Sequence, residues 1–393
     1  MSSQDPECSS SDYLKSLNAA QLKAVTHDPS IPLQILAGPG SGKTRVLTSR
    51  VAYLVKDRKL LPSSICAVTF TNKAANEMRH RLKPMIGEKD TNALIMGTFH
   101  AICSKYLRQY GKLVGLANNF SICNADVSKA TVAKLLKAKQ ERPVELNPSA
   151  VLSHISKAKS RAETPEDVRK AAKKQNDDVQ RFIADIYEDY ESTLKRDNSL
   201  DFDDLLIYGV QLFNGSPHIL KGCKHILVDE FQDTSVLQYR LVKLFAFSSK
   251  CITIVGDPDQ SIYGWRAADK ERIDKGLFTS KPSGPRPFIQ LCQNEHDEAD
   301  HMADEIKRVV AYSGGMLNLN DFAILLRYNA LSRPIESAFQ RHGIPMRMLA
   351  GQKFFERAEV KDLLAYLQLA DNPDYNPAFV RIVNVPPRSM GDK

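Results

Sequence analysis

The stretch ILAGPGSGKTRVL, residues 35–47, narrows the choice of fold more than any other in the chain. A short apolar run reaches Ala37, Gly38, Pro39, Gly40, Ser41 and Gly42, then continues through Lys43, Thr44 and Arg45 into a helical pattern. It reads as a strand, a tight turn and a helix. Glycines let the turn curl so that the backbone N–H groups of Gly38 through Lys43 converge on one point. The helix behind them adds its positive N-terminal end. Such a cradle takes phosphate oxygens, with Lys43 neutralising the outer phosphates and the Thr44 hydroxyl ligating Mg²⁺. Ala37 stands at the first position, where the general pattern has glycine.

A second stretch complements it. In ILVDEFQDT an apolar strand ends in Asp229 and Glu230, which puts two carboxylates at the C-terminal edge of a sheet, where the phosphates of a nucleotide would lie. Asp229 is expected to hold Mg²⁺, and Glu230 to orient and deprotonate an attacking water. The runs LQILA (33–37), ICAVTFT (65–71), ALIMGTF (93–99), HILVDEF (225–231) and CITIVGD (251–257) read as short strands alternating with helices. That alternation predicts an α/β fold with a doubly wound parallel sheet.

Residues 124–197 interrupt it with helix. VQRFIADIYEDYESTLKR (179–196) puts Val179, Phe182, Ile183, Ile186, Tyr187 and Tyr190 on one face at helical spacing. After about residue 286 a second α/β unit is predicted, with strands RPFIQLC and FAILLRY and helices near 297–312 and 331–342. Gly343 and Pro345 end the latter.

Fifty-four Lys and Arg against 46 Asp and Glu leave the chain at +8, a balance that suits a polyanionic partner. Residues 129–175 concentrate this bias, with twelve basic residues against five acidic ones. That face is read as either a solvated surface or a nucleic-acid surface. The seven cysteines fall in no CxxC spacing, and Cys66, Cys123, Cys251 and Cys292 sit inside apolar runs. They read as small core residues of a reducing compartment. No apolar run approaches the ~18 residues of a membrane span, and the polar start MSSQDPECSSSDYL is unlike a secretory signal. An intracellular protein with no membrane partner is expected.

LNAAQLKAV, AGPGSGKTR, AVTFTNKAANEMRHR, GTFHA, DFDDLL, VDEFQDT and VGDPDQSIYGWRAAD occur in the order and spacing of superfamily I DNA helicases. The chain resembles the UvrD/Rep/PcrA-like branch and its fungal relatives. FAILLRYNALSRPIESAFQRHGIPMRMLAGQKFFERAEVKDLLAYL extends the likeness. Residues 1–12, rich in serine, read as a disordered N-terminus, and the resemblance implies that a RecA-like domain 1A (13–123 and 198–280) follows it around a helical insert 1B (124–197). A partial RecA-like domain 2A (281–374) and the start of a truncated 2B (375–393) would follow. It implies ATP and Mg²⁺ as ligands, 3′-to-5′ movement on single-stranded DNA or a single/double-strand junction, and a nuclear location, or a cytoplasmic one in a bacterium. Repair and recombination proteins would be its partners. Gln21 resembles the glutamine that reads adenine, Arg45 the arginine beside the phosphates, and Gln260 the sensor joining the γ-phosphate to the DNA track.

A single strand is gripped by stacking bases on aromatic rings within a charged groove. Phe70, Phe99, Tyr263 and Trp265 lie in or just after motifs at strand ends, with Lys73, His100 and Arg266 nearby, and all seven are candidate DNA contacts. Trp265, the only tryptophan, lies in a polar loop beside Arg266. The three aspartates of DFDDLL (201–206) read better as the cap of a helix N-terminus than as a metal site.

The chain departs from the family between GWRAAD and the second unit. There the family has an Asn-Tyr-Arg-Ser motif, whose tyrosine stacks on adenine and whose arginine reaches the γ-phosphate. This chain reads DKERIDKGLFTSKPSGPRPF instead and then stops at VNVPPRSMGDK, before the motif with a second phosphate-sensing arginine. An arginine acting on the transferred phosphoryl group is worth ~10³–10⁵ in rate. Two functions therefore follow from the sequence: a helicase by family, or a non-enzymatic binder of ATP and single-stranded DNA with little motor activity.

Overall fold

The computed structural model describes residues 12–139, 146–249, 251–261, 284–348 and 357–390. The chain divides into two compact units, Met1–Leu277 with Asp362–Lys393, and Phe278–Lys361.

The first unit is built on a parallel sheet. Its strands are β1 (Leu33–Leu36), β2 (Ile65–Thr69), β3 (Ile95–Thr98), β6 (His225–Val228) and β7 (Ile252–Gly256), in the order β1-β7-β6-β2-β3. A small parallel pair, β4 (Ser121–Ile122) with β5 (Ser199–Leu200), lies at the root of the helical insert. All five expected strands of this unit form, each ending a residue or more before its apolar run does. The ALIMGTF run shows why. Thr98 turns its hydroxyl onto the Ala101 amide as an N-cap, and helix begins at Phe99.

Sheet residues are buried on both faces, as parallel strands between helices require: Ile65, Cys66, Ala67, Val68, Ile226, Leu227 and Val228 have essentially no exposure. One layer packs Leu47, Val51, Met78 and Leu82 beneath them, and the other packs Phe99, Ile102, Phe213, Leu241 and Phe245. The two helices Phe99–Tyr110 and Phe202–Gly215 approach so closely that a Cβ on Gly209 would stand 2.5 Å from Cys103 Sγ.

The insert has its own core. The long helix Asp178–Arg196 buries Ile183, Ile186, Tyr187 and Tyr190, with Val179 and Phe182 half-buried beside them, as the periodicity predicts. Residues 362–390, read from sequence as the end of 2A and part of the start of 2B, pack on this insert through Ala365, Tyr375, Ala378 and Ile382. Asn372, fully buried, donates to Ser121 Oγ and to the Asn198 carbonyl, each at 2.9 Å.

In the second unit the helices Glu295–Tyr312 and Ser332–Arg341 form close to the expected positions, and Gly343 at φ +66° ends the latter. The expected strands RPFIQLC and FAILLRY do not form among the described residues. Phe322, Ile324 and Leu326 keep a strand's alternation and face the Ala299–Ala303–Phe339 core, while Leu325 is 94 % exposed. Phe288 and Leu291 are likewise exposed. A strand needs a neighbour to take its backbone groups, and among the described residues neither run pairs with one. Cys292, read as a core residue of the first of these strands, is accordingly only half-buried.

Candidate nucleotide site

Strand order places the site. With β7 between β1 and β6, the C-terminal ends of three strands lie side by side: β1 running into the glycine-rich turn, β7 into Asp257 and β6 into Asp229 and Glu230. Open parallel sheets put ligands at this edge.

The turn has the geometry its glycines permit. Gly40 lies at φ +68° and Gly42 at φ +83°, both in the left-handed region, and Gly42 caps the helix Lys43–Lys56. Ser41 Oγ donates to the Gly38 carbonyl at 2.7 Å, and the Ala37 amide donates to Gly256 O at 3.1 Å, tying the turn to β7. Gln21 belongs to the helix Ala19–Thr26. It closes a capping box with Asn18, and its Nε2 donates to Ser41 O at 2.9 Å. A Cβ on Gly42 would approach that amide nitrogen to 3.0 Å, so Gly42 serves both the turn and Gln21. Thr44 is half-buried and Arg45 is exposed.

Lys43, with its side chain 11 % exposed, points back over the turn. Its Nζ is 3.5 Å from Ala37 O, 3.5 Å from Gln260 Oε1 and 3.8 Å from Asp257 Oδ2. Gln260 Nε2 donates to Asp257 Oδ2 at 2.7 Å. The Asp257 amide donates to Gln232 Oε1 at 2.9 Å, and Gln232 Nε2 donates to Glu230 Oε2 at 2.8 Å. A continuous polar chain thus runs Lys43–Gln260–Asp257–Gln232–Glu230, from the phosphate turn to the acidic pair. Glu230 sits at φ +49°, an uncommon conformation for a glutamate; such outliers collect at functional sites.

Sequence reasoning named Lys43, Gln260 and Glu230 but missed Asp257 and Gln232, which join them. Both stand in motifs already singled out, VGDPDQ and VDEFQDT. Their role depends on β7 lying next to β6, which no local pattern reveals. Gly256 belongs to the same arrangement, since a Cβ there would stand 2.7 Å from Gln232 Oε1.

Burial pushes the Asp229 carboxyl up to about 6, the neighbouring Glu230 adds to this, and the Glu230 amide and Lys43 oppose it. Buried Asp229 and half-buried Glu230, with Lys43 the one ammonium acting on them, make a site short of positive charge. Together with the Thr44 hydroxyl, these hard oxygen donors fit Mg²⁺.

The candidate DNA contacts fare differently. Phe99 is a correction: it is 6 % exposed and packed in the core with Ile102 and Phe213, so it has no open face for a base. As the first residue of a helix crossing the sheet, it turns inward. Phe70 is half-buried just after β2, and Lys73 is exposed in the first turn of the helix Asn72–Ile86. His100 is half-buried, edge-on to Phe202 at 5.9 Å; Phe202 is 54 % exposed and was assigned no role from sequence. Tyr263, Trp265 and Arg266 lie outside the described residues. In DFDDLL, Asp201 caps the helix Phe202–Gly215 and forms a capping box with Asp204, as read. Among the described residues no helix is long and apolar enough to cross a membrane.

Comparison with known proteins agrees with this geometry. A family model for the UvrD/REP helicase N-terminal domain matches residues 17–277, and one for the UvrD-like helicase C-terminal domain matches residues 260–393. The chain is similar to the ATP-dependent DNA helicase srs2 of Schizosaccharomyces pombe, 38 % identical over 447 aligned positions that cover 97 % of this chain and 49 % of the relative. It is also similar to the ATP-dependent DNA helicase PcrA of Leuconostoc citreum, 37 % identical over 95 % of this chain and 55 % of the relative. PcrA of Staphylococcus epidermidis is 36 % identical over 96 % and 57 %. The chain spans about half the length of the curated relatives it matches. The 447-position alignment is longer than the chain's 393 residues, so this relative carries stretches within the matched region that this chain lacks.

Proposed function

The chain belongs to the UvrD/REP helicase family, and from that premise we propose that it is an ATP-dependent DNA helicase. ATP would lie on the Gly38–Thr44 turn, with Gln21 on the adenine and Arg45 beside the phosphates. The observation that carries this reading is the polar chain from Lys43 to Glu230 across the ends of β1, β7 and β6.

Each residue has a task that its position suits. The amides of the turn and the N-terminus of Lys43–Lys56 hold phosphate oxygens, and Lys43 supplies charge to the outermost one. Thr44 and Asp229 would hold Mg²⁺, which when bound neutralises charge on the phosphates. Glu230, held by Gln232, orients water and takes its proton. Gln260 touches Lys43 on one side and Asp257 on the other. It can therefore sense the outer phosphate and pass its state to the segment that follows, where the candidate DNA contacts Tyr263, Trp265 and Arg266 stand in sequence.

Single-stranded DNA or a single/double-strand junction is the proposed track, with 3′-to-5′ movement by family. Repair and recombination are the proposed settings, and relatedness to a fission-yeast helicase supports the nucleus. The basic insert and Phe70, Lys73 and His100 would line the track.

Equilibrium binding of a fluorescent ATP analogue with Mg²⁺ tests the site. Lys43→Ala should weaken binding by at least about tenfold, the scale of one charge-assisted hydrogen bond in a water-poor site. Unchanged affinity would overturn the assignment.

A further inference from the structure

We infer that Arg50 is a positioning residue for the nucleotide base: it holds the helix carrying Gln21 against the strand that leads to Asp257 and Gln260. The inference rests on the nucleotide site proposed above. Arg50 lies in the phosphate-turn helix Lys43–Lys56 and is completely buried. Its Nη1 donates to the carbonyls of Ala24, Val25 and His27 at 3.2, 3.0 and 3.0 Å, the C-terminal end of the Gln21 helix. Its Nε donates to Thr253 Oγ1 on β7 at 2.8 Å, and that hydroxyl is 2.9 Å from His225 Nε2 on β6.

This placement is costly, and the cost argues for a role. Among the described residues no carboxylate forms an ion pair with Arg50, and its Nη2 is buried without a hydrogen-bond partner. Burial pulls the guanidinium down to about 10, still protonated at neutral pH. What offsets the charge is the negative end of the Gln21 helix. An apolar side chain would fill the same volume more cheaply. The guanidinium alone offers a rigid fork that reaches the Gln21 helix and β7 at once, and β6 through the Thr253 hydroxyl. All three end at the proposed nucleotide site: the helix at Gln21, β7 at Asp257 and β6 at Asp229.

The Gln21 helix is only eight residues long, about 12 Å. Freeing its C-terminal end would tilt the whole rod and displace Gln21 from Ser41. The phosphate grip has its own anchors, Ser41 Oγ on Gly38 O and the Ala37 amide on Gly256 O, and would persist.

Calorimetric titration of the full chain with MgADP, MgGDP and inorganic tripolyphosphate reads this. Arg50→Met should bind MgADP about tenfold more weakly, with MgGDP and tripolyphosphate changed by less than about twofold. Gln21→Ala should lose the same preference, and the double variant should lose no more than either single one, which identifies one shared interaction. Arg50→Lys, keeping charge at the helix end, should recover part of the preference. Additive losses, or a parallel fall for tripolyphosphate, would overturn the role of Arg50. If Arg50→Met does not fold, as judged by circular dichroism, Thr253→Val removes only the hydroxyl of the same chain and should lose part of the ADP preference; an unchanged preference overturns the inference. Tripolyphosphate binding indifferent to Lys43→Ala would instead overturn the nucleotide site itself.

Discussion

Lys159 Nζ lies 2.6 Å from Asp204 Oδ1, with the lysine fully buried between the helical insert and the sheet domain. Asp201 Oδ2 is at 2.8 Å, and Glu191 Oε1 stands at 2.5 Å without hydrogen-bond geometry, a Coulombic partner only. Burial opposes the Lys159 charge, but the three carboxylates outweigh it and hold its proton above the ordinary lysine value. Burial raises the Asp204 carboxyl to about 8 against the pull of Lys159. Both directions describe a cluster that keeps its protons. The capping box of DFDDLL and the root of the insert are thus one structure.

Replacing Lys159 by Met should therefore destabilise the first unit by about 3–5 kcal/mol, the cost of leaving a buried acidic cluster without its cation. Adding Asp204→Asn should recover part of it. Urea unfolding followed by circular dichroism measures both, and a loss below about 1 kcal/mol for Lys159→Met would contradict the buried network.

Two buried groups should tilt stability against pH in opposite directions, over windows that overlap and offset each other between about pH 3.8 and 6.5. Burial depresses His225 to about 3 from an ordinary 6.5, helped by Arg50, so its contribution is complete above pH 6.5 and lost as pH falls toward 3. Asp204 is raised instead, so its contribution is complete below pH 3.8 and lost as pH rises through about 8. One fully shifted group changes stability by about 1.4 kcal/mol per pH unit within its window. His225→Gln should remove the rise of melting temperature with pH between about 3 and 6.5, and Asp204→Asn the fall between about 3.8 and 8. Parallel profiles for variant and parent would refute the assignment.

Gly209→Ala tests the packing of the sheet domain. The added methyl would meet Cys103 Sγ at 2.5 Å between two buried helices, and overpacking of this kind costs about 1–3 kcal/mol. Gly209→Ala combined with Cys103→Ala, which removes the obstructing sulfur, should be milder than Gly209→Ala alone; a harsher combination would argue against this contact as the source of strain.

Glu230→Gln should leave nucleotide affinity within about twofold yet lower phosphate release by ~10²–10⁴, the range for loss of a general base. In the parent, turnover is expected to be slow even with saturating single-stranded DNA, because the sequence after GWRAAD has no Asn-Tyr-Arg-Ser counterpart. Phosphate release measured for both proteins decides this. Brisk parental turnover abolished in the variant would show that another cation serves the γ-phosphate.

Lys73, exposed one turn beyond Phe70 and β2, is expected to contact a DNA phosphate. Lys73→Ala should weaken single-stranded DNA uniformly across sequences and reduce the slope of log K against log[salt] by about 0.7. An unchanged slope would place the track elsewhere.

Much of this protein is legible in local pattern. The glycine turn, the acidic strand end and the period of Asp178–Arg196 depend on residues a few positions apart, and backbone geometry alone imposes them. Phe99 escaped because an aromatic after a strand has the same local signature whether it turns to the core or to a ligand. RPFIQLC and FAILLRY have the composition of strands, but a strand exists only through a partner supplied from far along the chain. Asp257, Gln232 and Arg50 are the clearest division. Their identities stand in the sequence, while their roles come from β7 lying between β1 and β6, which brings Gln260 to Lys43 across 217 positions and Thr253 to Arg50 across 203. The sequence by itself determined which chemistry the chain carries. Tertiary structure alone decided which side chains hold that chemistry in place, because strand order and the burial of charge are properties of the packed sheet and of no single segment.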